Sequence, residues 1–175
     1  YRVESLDEEL RKTRTQREGR ILLKARRAGI NVPLIYHVGK FDIWMERLNG
    51  TLLRELLMEN EGRGVVNDEI YKKAGELLAD LHLLGISHGD FTPANIMITK
   101  KGEVFIIDFG LSTFTSRIED MAIDLLLMEK SKGVNFDKFI EGYKKNKKWK
   151  EIVKRMKEIK SRGRYMQREG EGNRK

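Results

Sequence analysis

The chain has 175 residues, a formal net charge of +8 and no cysteine. A composition with 39% hydrophobic and 35% charged residues is typical of one soluble globular domain, and its short apolar runs exclude a membrane-spanning protein. The absence of cysteine excludes a disulfide framework and thiolate metal sites, and it agrees with a cytoplasmic location.

The chain is predicted to begin with a long basic helix that is followed by two short strands. Ser5-Leu6-Asp7-Glu8 has the spacing of a capping box, and Gly29 is a typical helix end. Residues 32–38 and 41–46 are predicted to form strands around a tight turn at Gly39-Lys40.

The middle of the chain is predicted to be helical until a second hairpin begins. We expect a helix over residues 51–60. A longer helix from Asp68 to Gly85 is indicated by apolar residues that recur with a 3.6-residue period. Residues 96–98 and 104–107 flank the turn Lys101-Gly102, which predicts a β-hairpin.

Two motifs flank this second hairpin. The stretch HGDFTPANI (residues 88–96) leads into it, and Asp108-Phe109-Gly110 follows it. Phosphoryl transfer needs a carboxylate that orients the attacking hydroxyl or water, a role that fits Asp90. It also needs oxygen ligands for Mg²⁺, a role that fits Asn95 and Asp108. Either motif alone could be an ordinary turn, but their order around a hairpin indicates a kinase-like site.

Two further segments fit a kinase-like site. The stretch IWMERL (residues 43–48) resembles a kinase hinge, so we expect Glu46 and Leu48 to contact ATP and Met45 to line the adenine pocket. Glu18 lies among the basic residues of the first helix and could be a solvated ion-pair partner. In a kinase, the same helix presents a glutamate to the lysine that binds the α- and β-phosphates, and this context favours the second role.

The positive charge is concentrated near the C-terminus. Residues 144–168 contain 12 Lys or Arg and 2 Glu, a net charge of +10, whereas the rest of the chain carries −2. This segment could attract a polyanion. It could equally be the solvated face of a helix whose buried stripe is Ile152, Met156 and Ile159. His82 and His88 are expected to be structural, because neither has a metal-ligand partner at suitable spacing.

Several segments closely resemble the small atypical kinases of the KEOPS complex, which are related to the RIO kinases. They are TRTQREGRILLKARRAGI, HGDFTPANIMI, IIDFGLS, EDMAIDLLLMEKS and a late RGR. The resemblance spans nearly the whole chain and implies an α+β, bilobal protein-kinase-like fold with a helical C-terminal lobe. It also implies an ATP- and Mg²⁺-dependent kinase or ATPase that supports threonylcarbamoyladenosine modification of tRNA. The implied partners are the KEOPS synthase subunit, fused to the kinase in some archaea, and the other KEOPS subunits.

The resemblance also implies residue roles and a division of the chain. Glu18 would pair with the strand lysine, Asp90 would be catalytic, Asn95 and Asp108 would bind the metal, and Asp124 would brace the catalytic loop. Residues 1–48 would form a partial N-terminal lobe, residues 49–143 the C-terminal lobe, and residues 144–175 a basic helix and tail.

Three features depart from regulated protein kinases. Gly89 occupies the position of the arginine that receives an activation-loop phosphate. Few residues separate Gly110 from the helix predicted near Glu119, which indicates a short activation segment and control by a partner. The chain starts at Tyr1, after the expected glycine-rich loop and lysine, so we expect the N-terminal lobe to be truncated; Lys12 shares a helix with Glu18 and cannot replace that lysine.

Two alternatives stay open at this point. One is a RIO-like serine/threonine kinase in ribosome maturation, which the sequence of the HGDFTPANI loop disfavours. The other is a pseudokinase scaffold that binds RNA or a protein partner. Intact Asp90, Asn95 and Asp108 argue against the scaffold, whereas the absence of the strand lysine from the chain leaves it possible.

Overall fold

The computed structural model describes residues 2–59 and 66–172, with side chains for residues 6–59 and 66–162. Its elements in chain order are α1 (Arg2–Arg27), β1 (Ile35–Val38), β2 (Ile43–Met45), β3 (Gly50–Leu52), α2 (Leu53–Glu59), α3 (Asp68–Leu83), β4 (Ile86–Ser87), a 3₁₀ turn (Pro93–Asn95), β5 (Ile96–Thr99), β6 (Val104–Ile106), β7 (Thr113–Phe114), α4 (Ile118–Lys130), α5 (Phe136–Tyr143) and α6 (Trp149–Gly172).

The end of helix α1 and the first hairpin agree with the sequence prediction, but the predicted capping box at Ser5 is wrong, because the helix already begins at Arg2. The helix ends two residues before Gly29, which has a φ of +82° and turns the chain as a helix-terminating glycine does. Strands β1 and β2 are antiparallel, and the N–H of Gly39 donates to the carbonyl oxygen of Asp42 at 2.9 Å to close their turn. A side chain on Gly19 would lie 2.8 Å from Val38, so this glycine lets α1 approach the hairpin closely.

The predicted helix over residues 51–60 is wrong at its start. Residues Gly50–Leu52 form β3, which pairs antiparallel with β5, and the helix begins only at Leu53. A Cβ on Gly50 would lie 2.3 Å from the carbonyl oxygen of Ile98, so tertiary pairing decides the conformation here. The predicted helix end at Asn60 lies outside the described residues.

The second hairpin is confirmed, and it forms the centre of a small sheet in the order β3-β5-β6. The sequence analysis missed a further two-stranded sheet in which β4 pairs antiparallel with β7. Strands of two residues carry no recognisable alternation of polar and apolar side chains, so no periodic signal predicted them.

Helices α3 and α5 pack closely because a glycine from each lies at the contact. A Cβ on Gly75 would lie 2.0 Å from the carbonyl oxygen of Phe139, and one on Gly142 would lie 1.9 Å from that of Lys72. Larger residues at these positions would separate the helices. The short interhelical distance brings Tyr143, at the end of α5, against α3.

Helix α6 packs against α4 through the predicted apolar stripe. Ile152 and Met156 are fully buried, and Ile159 is partly buried against the core. Ion pairs reinforce the contact, with Arg155 bonded to Glu119 at 2.8 Å and Lys160 bonded to Glu129 at 2.7 Å. In the described part of the chain, no helix is long and apolar enough to cross a membrane.

Candidate active site

The loop between β4 and β5 brings Asp90 and Asn95 into direct contact. The side-chain amide of Asn95 donates to the main-chain oxygen of Asp90 at 2.8 Å and to its Oδ2 at 2.9 Å. Asn95 is 8% exposed, and Asp90 is half-buried. The two predicted site residues therefore fix each other's position. The amide nitrogen of Asn95 faces Asp90, which leaves its oxygen as the group that can serve as a ligand.

The turn that follows β6 presents Asp108 in an uncommon conformation. Its φ is +60°, and it is the one non-glycine residue with positive φ in the described part of the chain. Its Oδ1 accepts a hydrogen bond from the N–H of Gly110 at 3.2 Å. Aspartate tolerates this left-handed conformation better than most residues, but such outliers persist only when their surroundings hold them.

His88 and one main-chain bond tie the two motifs together. The N–H of Ile107 donates to the main-chain oxygen of Asn95 at 3.0 Å. The Nδ1 of His88 accepts from the N–H of Asp90 at 3.3 Å, and its Nε2 donates to the oxygen of Ile107 at 3.1 Å. Burial lowers the pKa of His88, although Asp124 and other nearby carboxylates act in the opposite direction. The ring links the two motifs through these hydrogen bonds, which is the structural role that was expected.

Asp124 supports the loop from helix α4. Its carboxylate is fully buried and accepts from the N–H groups of His88 and Gly89, both at 2.8 Å. It also accepts from Nε2 of His82 at 3.0 Å. The carboxylate cannot donate, so Nε2 of His82 carries the proton, and Nδ1 accepts from the hydroxyl of Tyr143 at 2.6 Å. Burial and the charge of Asp124 raise the pKa of Tyr143, which keeps this hydroxyl a donor.

The geometry of Gly89 explains why this position carries no arginine. Its φ is +81°, and a Cβ there would lie 2.5 Å from the carbonyl oxygen of Leu111. A side chain would meet backbone as well as an unfavourable φ. The glycine is therefore required by the close approach of the catalytic loop to the segment that follows Gly110.

Glu18 lies on the face of α1 that is turned toward the Asp108 turn. It is half-buried and has no ion-pair partner among the residues that the structure describes. Burial raises its pKa, and the negative charge of Asp108 adds to this effect, whereas Arg14 and Arg17 oppose it. A carboxylate in these surroundings would be stabilised by a further cation. Lys12 is exposed on the same helix and contributes no contact to Glu18.

The hinge residues lie where β2 leads into β3. The N–H of Glu46 donates to the oxygen of Leu34 at 2.7 Å, and its Oε2 accepts from the N–H of Leu34 at 3.2 Å. These bonds hold Glu46 beside Leu34, and no turn or loop bond from the main chain of the described residues reaches the carbonyl oxygen of Glu46. Met45 is 38% exposed and Leu48 is half-buried. Their contacts with a nucleotide stay a prediction.

Sequence analysis missed two residues that the fold brings to this site. Tyr143 reaches His82 from a helix whose sequence gives no sign of this contact. Arg14 donates from Nε to the carbonyl oxygen of Gly110 at 2.9 Å. Its position one turn before Glu18 places both on one face of α1, and this spacing was the available signal.

The donor set fits magnesium that is bound together with phosphates. Groups of three or more His, Asp or Glu side chains that could hold a metal alone are absent from the described residues. Asn95 and Asp108 offer an amide oxygen and a carboxylate from two adjoining strand ends. Magnesium in phosphotransfer sites commonly takes one or two protein ligands and completes its shell with phosphate oxygens and water.

Comparison with known proteins agrees with this geometry. The family described as "Protein kinase domain" matches residues 4–133. A "Probable serine/threonine-protein kinase BUD32 homolog" from Archaeoglobus fulgidus is 35% identical over 96% of this chain and 85% of its own length. The "KEOPS complex subunit Bud32" from Pyrococcus abyssi is 38% identical over 96% of this chain and 81% of its own.

Longer proteins and solved structures are also similar. A "Probable bifunctional tRNA threonylcarbamoyladenosine biosynthesis protein" from Methanothermobacter thermautotrophicus is 38% identical over 94% of this chain, which spans 31% of that protein. The bifunctional kinase-methyltransferase WbdD has a TM-score of 0.52 at 21% identity, over 78% of this chain and 36% of that structure. WbdD bound to a kinase inhibitor gives 0.56 at 22% identity, over 81% and 38%. These structures support a protein-kinase-like fold.

Proposed function

Because the chain belongs to the protein kinase family, and within it to the Bud32-like small kinases, we propose that it is an ATP- and Mg²⁺-dependent kinase or ATPase that supports threonylcarbamoyladenosine modification of tRNA. The observation that carries this proposal is the joined arrangement of Asp90, Asn95 and Asp108. Asn95 bonds to Asp90 through its side chain and to the strand before Asp108 through its main chain.

Each residue has a distinct role in this proposal. Asp90 orients the attacking hydroxyl or water and receives its proton. Asn95 and Asp108 hold Mg²⁺, which neutralises charge on the phosphates when it is bound. The carbonyl of Glu46 and the main chain of Leu48 bind the adenine, with Met45 at the wall of its pocket. Glu18 pairs with the cation that contacts the α- and β-phosphates.

The observations favour this function over the two alternatives. Two of the similar proteins are named for KEOPS and for threonylcarbamoyladenosine biosynthesis rather than for ribosome maturation. A scaffold without catalysis would not need an aspartate with a φ of +60° beside a mutually bonded Asp90 and Asn95. An active enzyme therefore explains the arrangement of Asp90, Asn95 and Asp108 better than a pseudokinase does.

Partner control is the regulatory part of the proposal. The segment from Leu111 to Arg117 is short, and its β7 strand pairs with β4 next to the catalytic loop. The bifunctional relatives carry a chain like this one within a longer tRNA-modification protein. The threonylcarbamoyladenosine synthase subunit is therefore the proposed partner, together with other KEOPS subunits.

A titration with the synthase subunit tests the proposed function. Phosphate release from ATP by the full-length protein should rise several-fold as the purified synthase is added, and modified adenosine should accumulate in tRNA when both proteins are present. The matched control is synthase with an Asp90→Asn variant. An ATP turnover and tRNA product that stay constant over the whole titration would contradict partner control by the synthase.

The basic helix α6 is the proposed contact with tRNA. Lys145, Arg155 and Lys160 are already paired with acidic residues of α3 and α4. Lys154 and Lys157 have no ion-pair partner in the part of the chain that the structure describes, and they line a surface cavity beside Trp149. The cations available to phosphates are therefore on the outer face of the helix.

Filter binding of tRNA across a salt series tests this contact. Replacing Lys154 and Lys157 by alanine should lower the slope of log affinity against log salt by about two units, since each phosphate contact contributes about one. Lys73→Ala on α3 is the control, because Lys73 pairs with Glu76 away from α6. Identical slopes for the double variant and the unmodified protein would exclude RNA contact by this face.

A further inference from the structure

Arg14 links helix α1 directly to the turn that holds Asp108. Its Nε–H donates to the carbonyl oxygen of Gly110 at 2.9 Å, across 96 positions of sequence. Gly110 is buried at this contact. A Cβ on Gly110 would lie 3.1 Å from Nη2 of Arg14 and 3.3 Å from Oδ1 of Asp108, so the guanidinium and the carboxylate flank the same point.

The bond to Arg14 completes the hydrogen bonding of Gly110. The N–H of Gly110 donates to Oδ1 of Asp108, and its carbonyl accepts from Arg14. Both polar groups of this residue are therefore engaged, one by the candidate metal ligand and the other by α1. Because Asp108 has a φ of +60°, its conformation depends on such external contacts.

The position of Arg14 on α1 also connects it with Glu18. The two residues are one helical turn apart, and the charge of Arg14 lowers the pKa of Glu18 while the charge of Asp108 raises it. The guanidinium of Arg14 therefore stabilises the charged form of Glu18 while its Nε–H holds the turn after Asp108. A displacement of α1 would break the hydrogen bond between Arg14 and Gly110 and would at the same time move the charge of Arg14 away from the site.

We propose that Arg14 is a positioning residue that holds Asp108 in its metal-binding conformation through the carbonyl of Gly110. The inference rests on the proposed function, since it assigns Asp108 to Mg²⁺. Arg14 touches neither substrate nor metal in this proposal. It acts through Gly110, and the contact needs no phosphorylated residue in the short segment 111–117.

Equilibrium binding of a non-hydrolysable ATP analogue, with Mg²⁺ and with chelator, tests the proposal in the full-length protein. Arg14→Ala should weaken the Mg²⁺-dependent gain in affinity about tenfold, the lower end of losses seen when a residue that orients a metal ligand is removed. Affinity in chelator should stay unchanged. Arg14→Lys should restore part of the gain, because an ammonium group can still donate to the Gly110 oxygen. Lys12→Ala, an exposed cation on the same helix, should behave as the unmodified protein.

The possible outcomes of this binding experiment are distinguishable. A normal Mg²⁺-dependent gain in Arg14→Ala would overturn the proposal, and so would an equal loss of affinity with and without Mg²⁺, which indicates a general structural role. If Arg14→Ala fails to fold, as judged by its thermal melt, the Arg14→Lys and Arg14→Gln variants take its place in the binding experiment. A normal Mg²⁺-dependent gain in affinity for Arg14→Gln would overturn the role of the charge of Arg14. If neither the unmodified protein nor Asp108→Asn gains affinity for the ATP analogue when Mg²⁺ is added, the proposed function is overturned and this inference with it.

Discussion

Replacing Asp108 by asparagine should lower ATP turnover roughly a hundredfold or more while the protein stays folded. The carboxylate is the only charged member of the proposed metal pair, and its loss removes stabilisation of the charge that develops on the phosphates. Asparagine accepts the left-handed conformation at this position and can still accept the N–H of Gly110, so the turn should survive. Phosphate release by the complete protein in the presence of its partner measures the effect.

The Asp90→Asn variant separates the proposed catalytic role of Asp90 from the proposed binding of Mg²⁺. Turnover should fall to a similar degree, because the hydroxyl or water loses its base, but Mg²⁺-dependent binding of nucleotide should persist. Asp137→Asn, at an exposed position of α5, is the control and should leave turnover unchanged. Wild-type turnover in both Asp90→Asn and Asp108→Asn would refute the assignment of the catalytic site.

Replacing Asp124 by asparagine should reduce the free energy of unfolding by about 3 kcal/mol or more, a loss typical of removing one member of a buried charged network. The carboxylate accepts hydrogen bonds from the main chain of His88 and Gly89 and from His82. An amide of the same size places N–H donors where these donors already point, so at least one buried group loses its partner. Urea unfolding of the purified variant gives the change in stability.

Asp120→Asn on the same helix is the matched control. Asp120 is less buried and accepts one side-chain hydrogen bond, from Thr115, so its replacement should cost about 1 kcal/mol or less. Turnover by Asp124→Asn should also fall, since the loop that carries Asp90 is bonded to this carboxylate. Equal urea midpoints for the Asp124→Asn and Asp120→Asn variants would show that the carboxylate does not hold the loop.

The parts of the fold that were predicted are those with a local signal. The 3.6-residue period of α3 and the turn residues between β5 and β6 are local and strong. The contact between Asp90 and Asn95 was predictable because the two residues are only five positions apart in one loop. The chemistry of these side chains then indicated what the loop could do.

The parts that were not predicted depend on contacts between distant segments. Thr51 and Leu52 were predicted to be helical because their pairing partners, Ile98 and Met97, lie more than forty residues later in the chain. Arg14 meets Gly110, and Tyr143 meets His82, only after helices have packed. The close contact of Gly75 with α5 could not be predicted from the periodic pattern either, because a glycine inside a helix normally indicates only a less stable helix.

The segment between Gly110 and α4 offers few free hydroxyl groups for phosphorylation. Three of its four hydroxyl groups are engaged within the fold, because Ser112 bonds to the oxygen of His88, Thr113 to Ser87, and Thr115 to Asp120, whereas Ser116 is exposed. A kinase that is switched by a phosphate on such a segment stays active until a phosphatase acts. Under the proposed partner control, an active state would instead last as long as the partner stays bound, so its duration would follow the lifetime of the assembly.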